Sequence, residues 1–249
     1  MSLNNKVAIV TGGSSGIGAA IAVKFVAEGA KVTIVARNEK KLAAVSGECQ
    51  KNGSQPLIIV ADVTKEDDAK RIINNTIKHF GKLDILVNNA GTGNHTSIFD
   101  KNVMDDFDKV MAINLRSIVY LTHLAAPYII ETKGNIINMS SVCAKCCWEN
   151  GLIYNTSKAA LDHFTRCVAL ELAPKGVRAN TINPGPVKTD ILDNIGADPS
   201  LWEKFKDGTA LKRIGEVEEI ADLAAFIASD KGRSITGASL LSDNGTLLK

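Results

Sequence analysis

Short β-branched runs alternate with stretches of helical period along most of the chain. Lys6–Val10, Lys31–Val35, Pro56–Val60, Leu83–Val87, Asn135–Met139 and Arg178–Ile182 each read as a buried strand, and Ser239–Ser242 as a weaker seventh. Between them Ile17–Glu28, Asp67–Phe80 and Ser157–Leu172 carry apolar residues at helical spacing. The last aligns Ala160, Leu161, Phe164, Val168 and Leu172 on one face. Strands separated by helices join through right-handed crossovers, which makes neighbours parallel and covers both faces of the sheet. The prolines sit at the apparent edges of elements or in loops, and no linker or internal repeat divides the chain. The expected architecture is α/β, one doubly wound Rossmann-type domain over residues 1–249 with a mostly parallel seven-stranded sheet.

One stretch breaks the rhythm. Thr189–Lys212 holds Gly196, Pro199 and Gly208 among Ile191, Leu192, Ile195, Leu201, Trp202 and Phe205. Two readings stand: a lid over a ligand at the carboxyl end of the sheet, or a helical hairpin packed on the domain.

Composition narrows the function classes. Net charge is +2, with basic residues scattered rather than gathered in a stripe, so no nucleic-acid partner is expected. The apolar run Val7–Val10 is too short for a signal segment or a membrane span, so the expectation is a cytoplasmic protein without a membrane partner. Cys143, Cys146 and Cys147 cluster, yet His79, His95, His123 and His163 do not complete a ligand spacing. No metal and no disulfide is expected.

The first strand runs directly into Thr11-Gly-Gly-Ser-Ser-Gly-Ile-Gly18, followed at once by a helix. Gly12, Gly16 and Gly18 allow a tight turn, a close backbone approach to a pyrophosphate and close packing of helix on strand. Ser14, Ser15 and Ile17 then lie where the helix amino end offers free N–H groups and a positive dipole end. Strand two ends Ile34-Val-Ala36 and continues to Arg37. A carboxylate there would bind a ribose diol, whereas a neutral residue beside a guanidinium suits a 2′-phosphate, so NADP(H) is favoured over NAD(H). Asp62-Val63 after strand three could meet the adenine. Asn89, Ala90 and Gly91 after strand four, and Pro184-Gly185 after strand six, could line the rest of the dinucleotide. These loops lie where open α/β sheets bind their ligands.

Strand five ends at Ser140-Ser141, and the next helix opens near Tyr154-Asn-Thr-Ser-Lys158. Residues i and i+4 share a helix face, so the Lys158 ammonium should lie near the Tyr154 ring. A free phenol has a pKa of about 10, and a neighbouring cation favours its anion. The pair could therefore exchange a proton near neutrality.

With these motifs in this order, the chain resembles the short-chain dehydrogenase/reductase family over essentially its whole length. The resemblance rests on Thr11–Gly18, Asp62-Val63, Asn88–Gly91, Asn114, Ser141, Tyr154–Lys158 and Asn183–Thr189, with Ser141 thirteen residues before Tyr154. Arg213-Ile-Gly215, Glu218-Glu-Ile220 and Ile235-Thr-Gly237 match further on, while Asn244-Gly245 stands where the family often has two glycines. The resemblance implies interconversion of a ketone and a secondary alcohol. Tyr154 would exchange the proton and Ser141 would hold the carbonyl oxygen. Lys158 would lower the Tyr154 pKa and bind the nicotinamide ribose, and Asn114 would fix a water that links Lys158 to solvent. Val187 and Thr189 would hold the carboxamide end of the cofactor. A homodimer or homotetramer is also implied.

Substrate is expected against Thr92–Thr96, Val142–Leu152 and Thr189–Lys212, where Cys143, Cys146, Cys147, Trp148, Trp202 and Phe205 favour a bulky apolar ketone. The chain is similar both to 3-oxoacyl-carrier-protein reductases and to carbonyl or hydroxysteroid reductases. A catalytically silent, cofactor-binding regulatory or structural member is the alternative; it predicts loss of Ser141, Tyr154 or Lys158, and all three are present. A SAM-dependent methyltransferase would leave these three residues without a purpose.

Overall fold

Strand β1 (Val7–Thr11) is buried at every position because its two faces enter two different cores. Ala8 and Val10 pack with Ile21, Phe25, Leu42, Ala224 and Ile227, whereas Ile9 packs with Ile72, Leu121, Ile129 and Val168. Strands β2 (Lys31–Ala36), β4 (Ile85–Asn88) and β5 (Asn135–Met139) alternate in the same way. This double burial is why the strands read as continuous apolar runs rather than as an in–out alternation.

The computed structural model describes residues 2–190, 198 and 200–248. The remaining strands are β3 (Leu57–Val60), β6 (Arg178–Pro184) and β7 (Ser239–Ser242). They assemble in the order β3-β2-β1-β4-β5-β6-β7, with every neighbouring pair parallel. One face carries α1 (Gly16–Ala27), α2 (Glu39–Asn52) and α8 (Val217–Ala228). The other carries α3 (Glu66–Phe80), α5 (Ser117–Thr132) and α6 (Leu152–Leu172). α4 (Val103–Met111) precedes α5, and α7 (Leu201–Gly208) follows the β6 loop. The sheet order reverses between β1 and β4, and this switch point opens a crevice at the carboxyl ends of the strands.

Several boundaries moved, each for a local reason. Lys6 and Leu83 fall outside their strands because Asp84 organises that approach. Its buried carboxylate accepts the Val7 N–H at 2.8 Å and pairs with Lys82 at 2.8 Å. The helix read from Ser157 begins at Leu152, so Tyr154 lies in its first turn. Not every proline marks an edge, since Pro127 lies inside α5. Between α4 and α5 a π-turn spans Ala112–Arg116, so the two helices run on without a loop. Ile191, Leu192, Ile195, Gly196 and Pro199 lie outside the described residues.

Candidate active site

The glycine turn is built by contacts that leave no room for side chains. Gly12 and Gly16 have φ of +66° and +53°, where a β-carbon is strained. Gly18 adopts an ordinary helical backbone, but a β-carbon there would stand 2.3 Å from the Gly12 carbonyl and 2.4 Å from Asn89 Nδ2. Thr11 closes the switch point from below. Its Oγ1 accepts the N–H groups of Asn89 and Ala90 at 3.0 and 3.1 Å and donates to the Val87 carbonyl. Asn89 Nδ2 returns a bond to the Thr11 carbonyl at 3.0 Å. The Asn88–Gly91 segment thereby locks β1 to β4.

Above the turn lies a cavity of about 1340 Å³. It runs from Gly12, Ser14, Ser15, Gly16 and Ile17 past Arg37, Asp62 and Val63. It continues along Asn89, Ala90 and Gly91 to Ser141, Tyr154 and Lys158, and is closed by Pro184, Gly185, Val187 and Thr189. Two residues expected at the site do not line it. Gly18 lies behind the turn, where it permits helix packing. Asn114, fully buried, lies behind Thr92: its Oδ1 accepts the Thr92 N–H at 2.9 Å, and its Nδ2 donates to the Thr92 carbonyl and to Ser157 Oγ. Both Nδ2 hydrogens are used, but Oδ1 keeps a second lone pair, and it stands with Lys158 Nζ beside Gly91, 3.4 and 3.6 Å from where a β-carbon there would sit.

At the strand-two end Arg37 is exposed, and among the described residues it forms no ion pair. Lys41, one turn into α2, escaped sequence reading as a site residue. It lines the same cavity and pairs with Asp190 at 2.7 Å, so its charge is already matched. The only sequence signal was the local Arg37-Asn-Glu-Lys-Lys41 run of basic residues. At Asp62 burial pushes the carboxyl upward. The two bonds from Thr64 and the nearby Arg37 charge outweigh it and hold the group below the usual carboxylate range.

Ser141 and Tyr154 meet where β5 and α6 converge. Ser141 Oγ accepts the Cys143 N–H at 3.1 Å and lies close enough to the Tyr154 phenol to favour its anion. Lys158 Nζ lies 5.6 Å from the Tyr154 ring centre and donates to the Met139 carbonyl at 2.8 Å. The downward pull expected of Lys158 does not set the direction here. Burial, followed by Cys143, drives the Tyr154 pKa well above its ordinary value, so the phenol keeps its proton at neutral pH. Burial also pushes Lys158 itself down to about 8.

That depression has a thermodynamic sign. Between about pH 8 and the ordinary lysine range the unfolded chain binds the extra proton, so this group's contribution to stability rises with pH. At pH 7 the buried ammonium costs on the order of 3 kcal/mol. We expect Lys158→Met to raise the melting temperature at pH 7, and the gain to shrink as pH approaches about 10. Paired thermal melts across pH check this; a pH-independent difference would contradict it.

The far end of the cavity is aromatic. Trp148 and Phe205 meet edge-to-face at 5.7 Å, and Trp202 and Phe205 at 6.0 Å. All three line the cavity, as do Thr92–His95, Val142 and Cys143, whereas Cys146 and Cys147 do not. Trp202 and Phe205 come from α7 and Trp148 from the loop after β5, so two separate segments meet in the wall of the cavity that Ser141 and Tyr154 also line.

Against known proteins, residues 12–246 match the family described as enoyl-(acyl carrier protein) reductase. The chain belongs to the short-chain dehydrogenase/reductase family. It is 38% identical to glucose 1-dehydrogenase of Gluconobacter oxydans, over 98% of this chain and 92% of that protein. A short-chain dehydrogenase/reductase of Caenorhabditis elegans, solved with cofactor, superposes with a TM-score of 0.93 at 36% identity, covering 100% of this chain and 97% of that one. A 3-ketoacyl-(acyl-carrier-protein) reductase of Brucella melitensis, complexed with NADH, gives 0.91 at 33% identity over 98% and 99% of the two chains. The protein is thus a short-chain dehydrogenase/reductase enzyme that works with a nicotinamide cofactor on carbonyl and alcohol groups. Among the described residues no helix is long and apolar enough to cross a membrane.

Proposed function

We propose that this enzyme is an NADP(H)-dependent reductase of bulky apolar ketones, with Tyr154 as the proton donor. The observation that carries the reading is the convergence of Ser141, Tyr154 and Lys158 at one end of the cavity whose other end is the glycine turn. The glycine-lined cradle fits a dinucleotide. Gly12, Ser14, Ser15, Gly16 and Ile17 would hold its pyrophosphate, and Gly18 lets α1 approach closely enough to do so. Asp62 and Val63 would meet the adenine, and Asn89, Ala90 and Gly91 the backbone of the ligand. Pro184, Gly185, Val187 and Thr189 would seat the nicotinamide end, with Tyr154 and Lys158 at its ribose. When bound, the nicotinamide supplies the hydride.

The chain's own groups do the rest. Tyr154 carries its proton at neutral pH and can release it to a carbonyl oxygen seated against Ser141. Ser141 then stabilises the charge developing on that oxygen. Lys158 replenishes the phenol from the solvent side. Asn114 would fix the water that links Lys158 to solvent, since its Oδ1 accepts only the Thr92 N–H and keeps a second lone pair. Trp148, Trp202 and Phe205 supply an apolar, ring-shaped wall, with α7 acting as the lid, and this suits a large ketone better than a polyol. The test is a panel of ketones and alcohols followed by NADPH absorbance. Reduction of bulky apolar ketones is expected; tight NADPH binding without turnover of any member would shift the reading to a regulatory protein.

Arg37 carries the coenzyme preference, because it is exposed at the cavity rim without an ion pair among the described residues. Arg37→Ala should weaken NADPH binding about tenfold and leave NADH nearly unchanged. An unaltered preference in parallel titrations would remove Arg37 from the argument. Leu170 and Val119, exposed on α6 and α5, support self-association as a homodimer or homotetramer, which light scattering would read.

A further inference from the structure

Helix α6 carries a second buried ionisable group one turn beyond Lys158. Asp162 is 4% exposed, and its Oδ1 and Oδ2 accept the Asn183 amide at 3.1 and 3.0 Å. Ser239 Oγ on β7 donates to Oδ2 at 3.1 Å. The Asn183 amide also donates to the Ser141 carbonyl at 3.0 Å, while its Oδ1 accepts Thr181 Oγ1 at 2.9 Å. The Asn183 amide hydrogens are committed to Ser141 and Asp162, so the side chain cannot turn without releasing the Ser141 carbonyl. Asn183 also directly precedes the Pro184–Gly185 turn that closes the cavity.

The charges around this network are few. Lys145 Nζ, from the turn after β5, stands 4.0 Å from Asp162 Oδ2. Lys158 forms no ion pair among the described residues, and its ammonium rests on the Met139 carbonyl. The titratable groups facing Lys158 are Tyr154 on its own helix, Cys143 from the turn after β5, and Asp162. β6 and β7 bring only the neutral Thr181, Asn183 and Ser239, and the π-turn brings Asn114. Two oppositely charged buried groups one helical turn apart compensate each other more strongly than they would in water.

We infer that Asp162 is a positioning residue of the active site. Through Asn183 it fixes Ser141 and the turn at Pro184, and its charge is the buried counter-charge that keeps Lys158 protonated. The inference rests on the reading of Ser141 and Lys158 as working groups, but its test does not require a substrate.

Protein carrying isotopically labelled lysine is titrated by NMR without dinucleotide, with the Lys158 signal assigned through Lys158→Met. Asp162→Asn keeps an acceptor for Asn183 and removes the charge. It should lower the Lys158 midpoint by about one pH unit, and Asp162→Glu should restore it. NADPH affinity should fall about tenfold in the Asn variant, since Lys158 and the Pro184 turn shift together. An unchanged midpoint, or one that Glu fails to restore, overturns the counter-charge role. Lys145→Ala, half-exposed and safe for folding, removes the other cation facing Asp162 and should move the midpoint upward; no movement overturns the pairing even if Asp162→Asn does not fold. Failure of the parent to bind NADPH would defeat the functional reading instead, and the titration would still decide the pairing.

Discussion

Replacing Tyr154 with Phe should lower turnover about a thousandfold on any ketone the enzyme reduces, with NADPH affinity within about twofold of the parent. The substitution removes one hydroxyl and keeps the ring, which lies 5.6 Å from Lys158 Nζ in the first turn of α6. The packing that shapes the cofactor end of the cavity is therefore preserved. What disappears is the phenol near Ser141, and with it the proton that burial holds on Tyr154 at neutral pH. Initial rates against NADPH binding measured by fluorescence separate the two quantities. Retained turnover would refute the proton-donor role; lost NADPH binding would show that the phenol holds the cofactor instead of serving the chemistry.

Most of the site was legible because its chemistry is local in sequence. The glycine turn shows itself through residues that tolerate positive φ, at Gly12 and Gly16. Tyr154 and Lys158 share a helix face by spacing alone, and Arg37 follows from the end of a strand. The illegible parts depend on tertiary position. Lys41 finds Asp190 across 149 residues, and Asp162 finds Asn183 only because α6 lies against the end of β6. The bonds from the Asn114 amide to Thr92 and Ser157 depend on a π-turn that no residue propensity announces. The direction of the Tyr154 shift is illegible for the same reason: spacing reveals a neighbouring cation, whereas the burial that raises the phenol is a property of the assembled sheet and helices.

The same substitution, Gly to Ala, should have opposite signs at two helical positions. In Gly18→Ala the new carbon would stand 2.3 Å from the Gly12 carbonyl and 2.4 Å from Asn89 Nδ2. The carbonyl belongs to a turn whose φ is already positive, so it cannot rotate away cheaply. Asn89 cannot leave either without breaking its bond to the Thr11 carbonyl, which ties β4 to β1. The strain must move α1 off the turn, the element that would bind the pyrophosphate. Overpacking and one lost buried hydrogen bond together cost roughly 3 kcal/mol, equivalent to a melting temperature lower by about 6–12 °C in a chain this long. NADPH binding should weaken at least about tenfold, because the helix amino end no longer points at the phosphates. Gly47, inside α2, has nothing within 4 Å of the corresponding position. There Ala should stabilise the chain by about 0.5–1 kcal/mol through helix propensity and a less flexible unfolded state, with NADPH binding unchanged. Thermal melts and NADPH titrations of both variants decide the matter. If Gly18→Ala behaves like Gly47→Ala, the close approach of α1 to the turn does not set the geometry of the cofactor site.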